Sequence, residues 1–217
     1  YFKEGDPITI INPISDDMTT MRPSLLPGLL KAISYNLNRN QLDVRLFEIG
    51  RIFKNYKENE LPDQPYSLCI AMTGNRHLPN WDNDDQQIDF YDIKGYLEVF
   101  FQKIFLDNFK LFLYDKSSSF DGEETLNIQV KNKPVGLCGK ISQTVADAFD
   151  INKPVYAIVL DLDVLIELIA FDRIFKPITK FPYVEKDMAL VLDKTKSAAE
   201  VIDTIKKTGG ALLQSVE

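Results

Sequence analysis

Few residues of this 217-residue chain are of types that do chemistry unaided. His77 is the only histidine. To act as a general base, an imidazole needs a nucleophile or carboxylate beside it in space. His77 sits in a Pro/Asn-rich stretch and reads as a loop residue. The carboxylates Asp82, Asp84, Asp85, Asp89 and Asp92 form a cluster that could hold a hard cation. They lack the calcium-loop order, with no glycine at the sixth position and no closing glutamate at the twelfth. Asp89 and Asp92 also stand where a helical pattern begins, and carboxylates there favour the positive end of the helix dipole. Cys69 and Cys138 have neither CxxC spacing nor a nearby histidine, so they read as small core residues. Gly136-Leu-Cys-Gly139 is too sparse for a phosphate loop. No G-x-S-x-G, H-E-x-x-H or G-x-G-x-x-G order occurs, which directs the search for function toward recognition and assembly.

The elements that position these residues are legible from periodicity. A short strand is expected over 8–11, ended by Asn12-Pro13. Leu26, Leu29, Leu30, Ile33 and Leu37 recur at helical spacing and predict a helix over 25–38. Pro27 is tolerated in its first turn. Strands are expected over 44–53 and 66–72, with Gly50 marking a bulge or a close backbone approach. Ile93, Leu97, Phe100, Phe101 and Ile104 predict a second helix. Strands over 110–114, 126–130 and 135–139 follow, then a short helix over 144–149 and a strongly apolar strand over 155–162. Pro177 and Pro182 fix an extended boundary. Beyond it a strand is expected over 187–192. Ser197 and Glu200 then form a capping box at the start of a helix, which Gly209-Gly210 ends. A last strand over 211–216 would make this strand–helix–strand half of a βαββαβ unit.

Composition narrows the classes. Hydrophobic residues make up 45% and charged residues 26%, ordinary values for a globular core with a solvated surface. No apolar run approaches the roughly 20 residues of a membrane helix. Two cysteines and no signal peptide suggest a reduced, cytosolic setting. The net charge of −7 argues against a protein built throughout to coat nucleic acid. From residue 176 onward seven lysines face six acids, a net of +1. The chain starts at Tyr1 rather than Met, so it is expected to be cut from a longer polypeptide.

Seven segments in register carry a family resemblance. They are Asn12-Pro-Ile-Ser15, Met21-Arg-Pro-Ser-Leu-Leu-Pro-Gly-Leu-Leu30, Tyr35-Asn-Leu-Asn-Arg39, Leu46-Phe-Glu-Ile-Gly-Arg-Ile-Phe53, Asp89-Phe-Tyr-Asp-Ile-Lys-Gly95, Lys153-Pro-Val-Tyr-Ala157 with Leu160-Asp-Leu-Asp163, and Lys180-Phe-Pro-Tyr-Val-Glu-Lys-Asp-Met-Ala-Leu190. Together they resemble the beta subunit of bacterial phenylalanine–tRNA ligase over nearly the whole chain. The resemblance implies an α+β fold. Residues 1–175 would form a class II synthetase-like core, an antiparallel sheet with flanking helices and no active site. Residues 176–217 would form the first half of a ferredoxin-like anticodon-binding domain.

The residues allow a test of that silence. A class II site clamps the ATP α-phosphate with a strand arginine, usually in the order F-R-x-E. Here Arg45-Leu-Phe-Glu48 has one residue too many, and a shift of one turns a side chain to the other face. A second arginine is expected to open a helix after a glycine-rich strand. After Gly136 and Gly139 the chain offers Lys140, which lacks the bidentate fork.

By the same resemblance the partners are a catalytic alpha subunit, in an (αβ)₂ heterotetramer, and tRNA(Phe), with no membrane. ATP and Mg²⁺ serve the intact enzyme, with no cofactor or metal site expected in this segment. The stripe on helix 25–38 can face the core or a partner. Tyr35, Asn36 and Arg39, off the stripe, are the candidates for subunit contact. Lys180, Phe181, Tyr183 and Lys186 have the stacking and cationic types that loop RNA needs, although Phe181 is equally suited to plug the domain boundary. The competing reading is a stand-alone class II-like paralogue that activates an amino acid with a diverged ATP site.

Overall fold

Leu26, Leu29, Leu30 and Ile33 are buried along one side of helix α1, Leu26–Leu37. Its first turn carries Pro27, and the Ser24 hydroxyl accepts from the Leu26 N–H at 3.2 Å. The computed structural model describes residues 8–15, 18–54, 61–77, 80–81, 86–106, 108–169, 182–193 and 196–216. Two compact units make up the chain, Tyr1–Arg173 and Ile174–Glu217.

In the first unit, α1 leads into β1 (Val44–Arg51) and β2 (Tyr66–Thr73). Helix α2 (Phe90–Lys103) follows, then β3 (Phe109–Leu113), β4 (Phe120–Val130) and β5 (Lys133–Ile141). Helix α3 (Gln143–Ala148), β6 (Tyr156–Asp161) and α4 (Leu162–Leu168) close the unit. The strands form one six-stranded sheet in the order β1-β2-β6-β5-β4-β3, every pair antiparallel. Lys131 and Asn132 both take positive φ, 49° and 65°. They make the two-residue loop between β4 and β5 whose twist matches that of the flanking strands.

Two apolar layers sandwich the sheet. Cys69, Ala71 and Ala157 face α1 and the α3 residues Val145 and Ala146. Leu68, Met72, Ile158 and Leu160 face Ile93, Leu97 and Phe101 of α2 and Leu165 of α4. The stripe on α1 therefore packs into its own unit, which decides between the two roles the sequence left open.

Several expectations need correction. The expected strand over 8–11 is a single bridge, Thr9 to Thr20. Helix α4 was not expected; the apolar run over 155–162 reads as uninterrupted strand, yet Asp161 ends it. The Asp161 carboxylate accepts from the Val164 N–H at 3.1 Å and starts a helix there.

The second unit contains helix α5 (Ala198–Gly209), with the Ser197 hydroxyl accepting from the Glu200 N–H at 3.3 Å. Gly210, at φ 59°, closes it. Neither expected strand beside it forms. Residues 187–192 are irregular, and Gly210–Leu212 is a turn of 3₁₀ helix. β-branched composition favours a pleated surface but supplies no partner strand, and neither segment pairs among the described residues. Of the expected strand–helix–strand order, the helix is the part that forms among the described residues.

Candidate functional site

Strand β1 carries the residues tested against the ATP clamp, and its side chains alternate strictly between the two faces. Arg45 lies on the exposed face, where its Nη2 donates to the Asn75 and Arg76 carbonyls at 2.9 and 2.8 Å. Glu48 lies on the opposite, half-buried face, beside Cys69 in the pairing register. There it receives Arg22 Nη1 at 2.5 Å, and Arg22 Nε donates to the Arg51 carbonyl at 2.9 Å. Arg45 and Glu48 do not converge. The close approach expected at Gly50 is real: a Cβ there would meet the Arg22 guanidinium. No bulge interrupts β1 and β2.

The strand-to-helix junctions tell a similar story. Lys140 is inside β5 rather than at a helix start, and its Nζ lies 3.1 Å from Glu124 Oε2 and 3.8 Å from Asp121 Oδ2. Its close pairing with the Glu124 carboxylate holds its proton above the ordinary lysine range. Gly136 is a packing residue, since a Cβ there would press into the Val159 carbonyl. Strand β6 runs straight into α4, whose first turn is acidic. Asp161 caps that turn, and Asp163 Oδ2 accepts from the Tyr66 N–H at 3.0 Å. Sequence reasoning missed this junction because it missed α4; the Leu160-Asp-Leu-Asp163 order was the available signal.

The acidic cluster divides as its sequence position suggests. Asp89 caps α2, accepting from the N–H groups of Tyr91 and Asp92 at 2.8 and 3.0 Å, while Asp92 accepts from the Asp89 N–H at 2.8 Å. Arg76 locks this box, with Nε 2.8 Å from Asp92 Oδ1 and Nη2 3.1 Å from Asp89 Oδ2. Asp82, Asp84 and Asp85 lie outside the described residues. His77 is exposed. Among the described residues no three histidine, cysteine or carboxylate side chains form a metal-binding group. Cys69 and Cys138 are buried on opposite faces of the sheet, and burial pushes both thiols up to about 12.

Tyr35 and Arg39 meet at the end of α1. The Arg39 guanidinium stacks 3.3 Å from the Tyr35 ring centroid, and its Nη1 donates to the Tyr35 carbonyl at 3.1 Å. Both side chains are exposed. Asn36 turns its amide back onto the Ala32 carbonyl at 2.7 Å. In the second unit Tyr183 and Lys186 are exposed in an irregular stretch, while Lys180 and Phe181 lie outside the described residues.

An antiparallel six-stranded sheet between helix layers, with a helix opening directly from β6, is a class II synthetase-like architecture. The structure of pyrrolysyl-tRNA synthetase from Desulfitobacterium hafniense superposes with a TM-score of 0.52, covering 74% of this chain and 52% of that one. A structure of Desulfitobacterium hafniense PylSc gives 0.53 over 71% and 51%. Identities of 14% and 15% make these likenesses of fold alone. Sequence goes further: the phenylalanyl-tRNA synthetase beta chain CLM domain matches residues 2–162. The phenylalanine–tRNA ligase beta subunit of Syntrophotalea carbinolica is 30% identical over 216 residues, and that of Staphylococcus aureus (strain MSSA476) 35% over 210. The chain belongs to this beta-subunit family. It covers 26% of the length of each of these two relatives. Among the described residues no helix is long and apolar enough to cross a membrane.

Proposed function

We propose that the chain is a non-catalytic part of a phenylalanine–tRNA ligase beta subunit. It supports assembly with the catalytic alpha subunit in an (αβ)₂ tetramer and recognition of tRNA(Phe) during ATP-dependent aminoacylation in the cytoplasm. ATP and Mg²⁺ serve the intact enzyme.

The engagement of the arginines carries this reading. A nucleotide clamp needs guanidinium groups held toward an open site. Every described arginine is instead engaged by this chain's own groups: Arg22 by Glu48, Arg39 by Tyr35, Arg45 and Arg51 by backbone carbonyls, and Arg76 by Asp89 and Asp92. Tyr35 and Arg39 form a rigid, exposed contact point suited to the partner subunit, and Asn36 fixes the helix end beneath them. Lys180, Phe181, Tyr183 and Lys186 serve tRNA.

Two measurements on the purified chain test the reading. ATP–pyrophosphate exchange should be absent without the alpha subunit, and light scattering should show a complex when it is added. Exchange by the chain alone overturns the silent site; failure to associate overturns the assembly role.

A further inference from the structure

Of the ten glycines in the chain, one follows an aspartate, at Asp121–Gly122, and none follows an asparagine. Glycine has no Cβ to hinder closure of the preceding side chain onto its peptide nitrogen, and its backbone turns freely. The sheet leaves this pair outside its regular ladder. Phe120 pairs with Ile141 and Thr125 with Gly139, so the four residues 121–124 stand opposite Lys140 alone. A bulge interrupts the ladder hydrogen bonds that fix the backbone on either side of it.

The carboxylate is also aimed. The Glu123 N–H donates to Asp121 Oδ1 at 3.1 Å, which folds the side chain back along its own main chain, across the Asp121–Gly122 peptide. The Asp121 side chain is 36% exposed, so water reaches it. Packing keeps the glycine in place, because a Cβ at residue 122 would stand 3.2 Å from Asp115 Cα. The residue that makes the bond reactive is therefore one the fold needs.

We infer that Asp121–Gly122 is a site of spontaneous modification, where the folded chain forms a succinimide and then isoaspartate. The Gly122 nitrogen bonds to the side-chain carboxyl carbon of Asp121. A C–O bond of that carboxyl breaks, and its hydroxyl leaves with the amide hydrogen as water. A second water opens the ring at the main-chain carbonyl, which returns a hydrogen to the nitrogen and leaves a free α-carboxylate. No oxidant or reductant takes part, and the backbone now runs through one extra methylene. The change falls where Lys140 Nζ lies 3.8 Å from Asp121 Oδ2 and the Thr125 hydroxyl donates to the Asp121 carbonyl. It therefore redraws the contact between β4 and β5, whatever the chain's partners are.

The test ages the whole purified chain at neutral pH over weeks and maps its peptides by mass spectrometry. Enzymatic carboxyl methylation scores isoaspartate, and the urea-unfolded chain is the reference. The peptide holding residues 121 and 122 should pass through a form lighter by one water and then accept methyl groups. Folded and unfolded chains should convert at rates within tenfold of each other. Asp121→Glu, whose longer side chain closes a larger ring, should cut methylation of that peptide at least tenfold. Asp121→Asn should convert faster than wild type, because an amide carbonyl accepts the nitrogen more readily than a carboxylate does. Circular dichroism checks that both variants fold. Conversion more than tenfold slower in the folded chain than in the unfolded one overturns the inference. So does methylation that Asp121→Glu leaves unchanged, or a folded Asp121→Asn chain that stays intact.

Discussion

Arg22 Nη1 lies 2.5 Å from Glu48 Oε1, and the guanidinium occupies the space that a side chain at residue 50 would take. One contact thus joins the segment before α1 to the middle of β1, across 26 residues of sequence. Both side chains are more than a third exposed, 46% and 35%, so the pair is expected to be worth about 0.5–1 kcal/mol. The blocking atom is the mobile end of Arg22, so Gly50→Ala should be tolerated by displacing it. A double-mutant cycle of Arg22→Ala and Glu48→Ala, followed by urea unfolding, should show that coupling in the wild-type background and none in Gly50→Ala. Coupling that survives Gly50→Ala would show that the glycine has no part in seating the pair.

The Arg76–Asp92 contact gives acid stability a specific origin. Burial alone would raise the Asp92 pKa. The Asp89 N–H and the Arg76 guanidinium outweigh it and hold the carboxyl below the ordinary aspartate range. A folded-state pKa below the unfolded one stabilises the fold above the unfolded value, and that stability is lost as pH falls through the folded one. Asp92→Asn should therefore destabilise the first unit at pH 6, with the gap to wild type narrowing below about pH 4. A gap of equal size at pH 6 and pH 2.5 in urea melts would remove ionisation from the account. Losing the N-cap itself, in Asp89→Ala, should cost about 1 kcal/mol.

Much of this was readable in the sequence where a local pattern coincides with its tertiary use. The α1 stripe, the Asp89–Asp92 box and the Ser197 cap are short-range devices, and each formed where its residues stood. What escaped depends on partners. Residues 187–192 have strand composition without a strand to pair with, so composition overstated order there. Helix α4 was hidden because Val155 to Leu162 is apolar but for Asp161, which changes the period through one hydrogen bond. The Arg22–Glu48 link and the uncovered face of β1 arise from sheet order, which periodicity does not encode. The opposite facing of Arg45 and Glu48 was legible, since alternation along one strand is a local property.

The two thiols should be inert in the folded protein. Desolvation raises both, and Glu48 adds to it at Cys69. Since the thiolate is the reactive form, a thiol with a pKa of about 12 is almost wholly protonated at pH 8. Ellman's reagent should label neither cysteine in buffer and both in 6–8 M urea. Prompt labelling of one thiol without denaturant would contradict its placement in the core.

Helix α1 lets stability and assembly be separated on one element, because its two sides face different surroundings. Ile33 is fully buried against the sheet, whereas Tyr35, two residues on, is 58% exposed. Truncating a buried isoleucine removes its packing and leaves a cavity, so Ile33→Ala should cost about 2–5 kcal/mol of unfolding free energy. Tyr35→Ala should change stability by no more than about 0.5 kcal/mol, the usual range for an exposed site. Its effect belongs to association: it removes the ring on which Arg39 stacks and so loosens the proposed contact point. In a titration with the alpha subunit, Tyr35→Ala should weaken binding several-fold while the urea midpoint stays in place. If Tyr35→Ala unfolds the first unit as Ile33→Ala does, the residue is structural and the contact point must lie elsewhere. If neither stability nor binding moves, α1 serves only its own core, and the contact with the alpha subunit lies on another element.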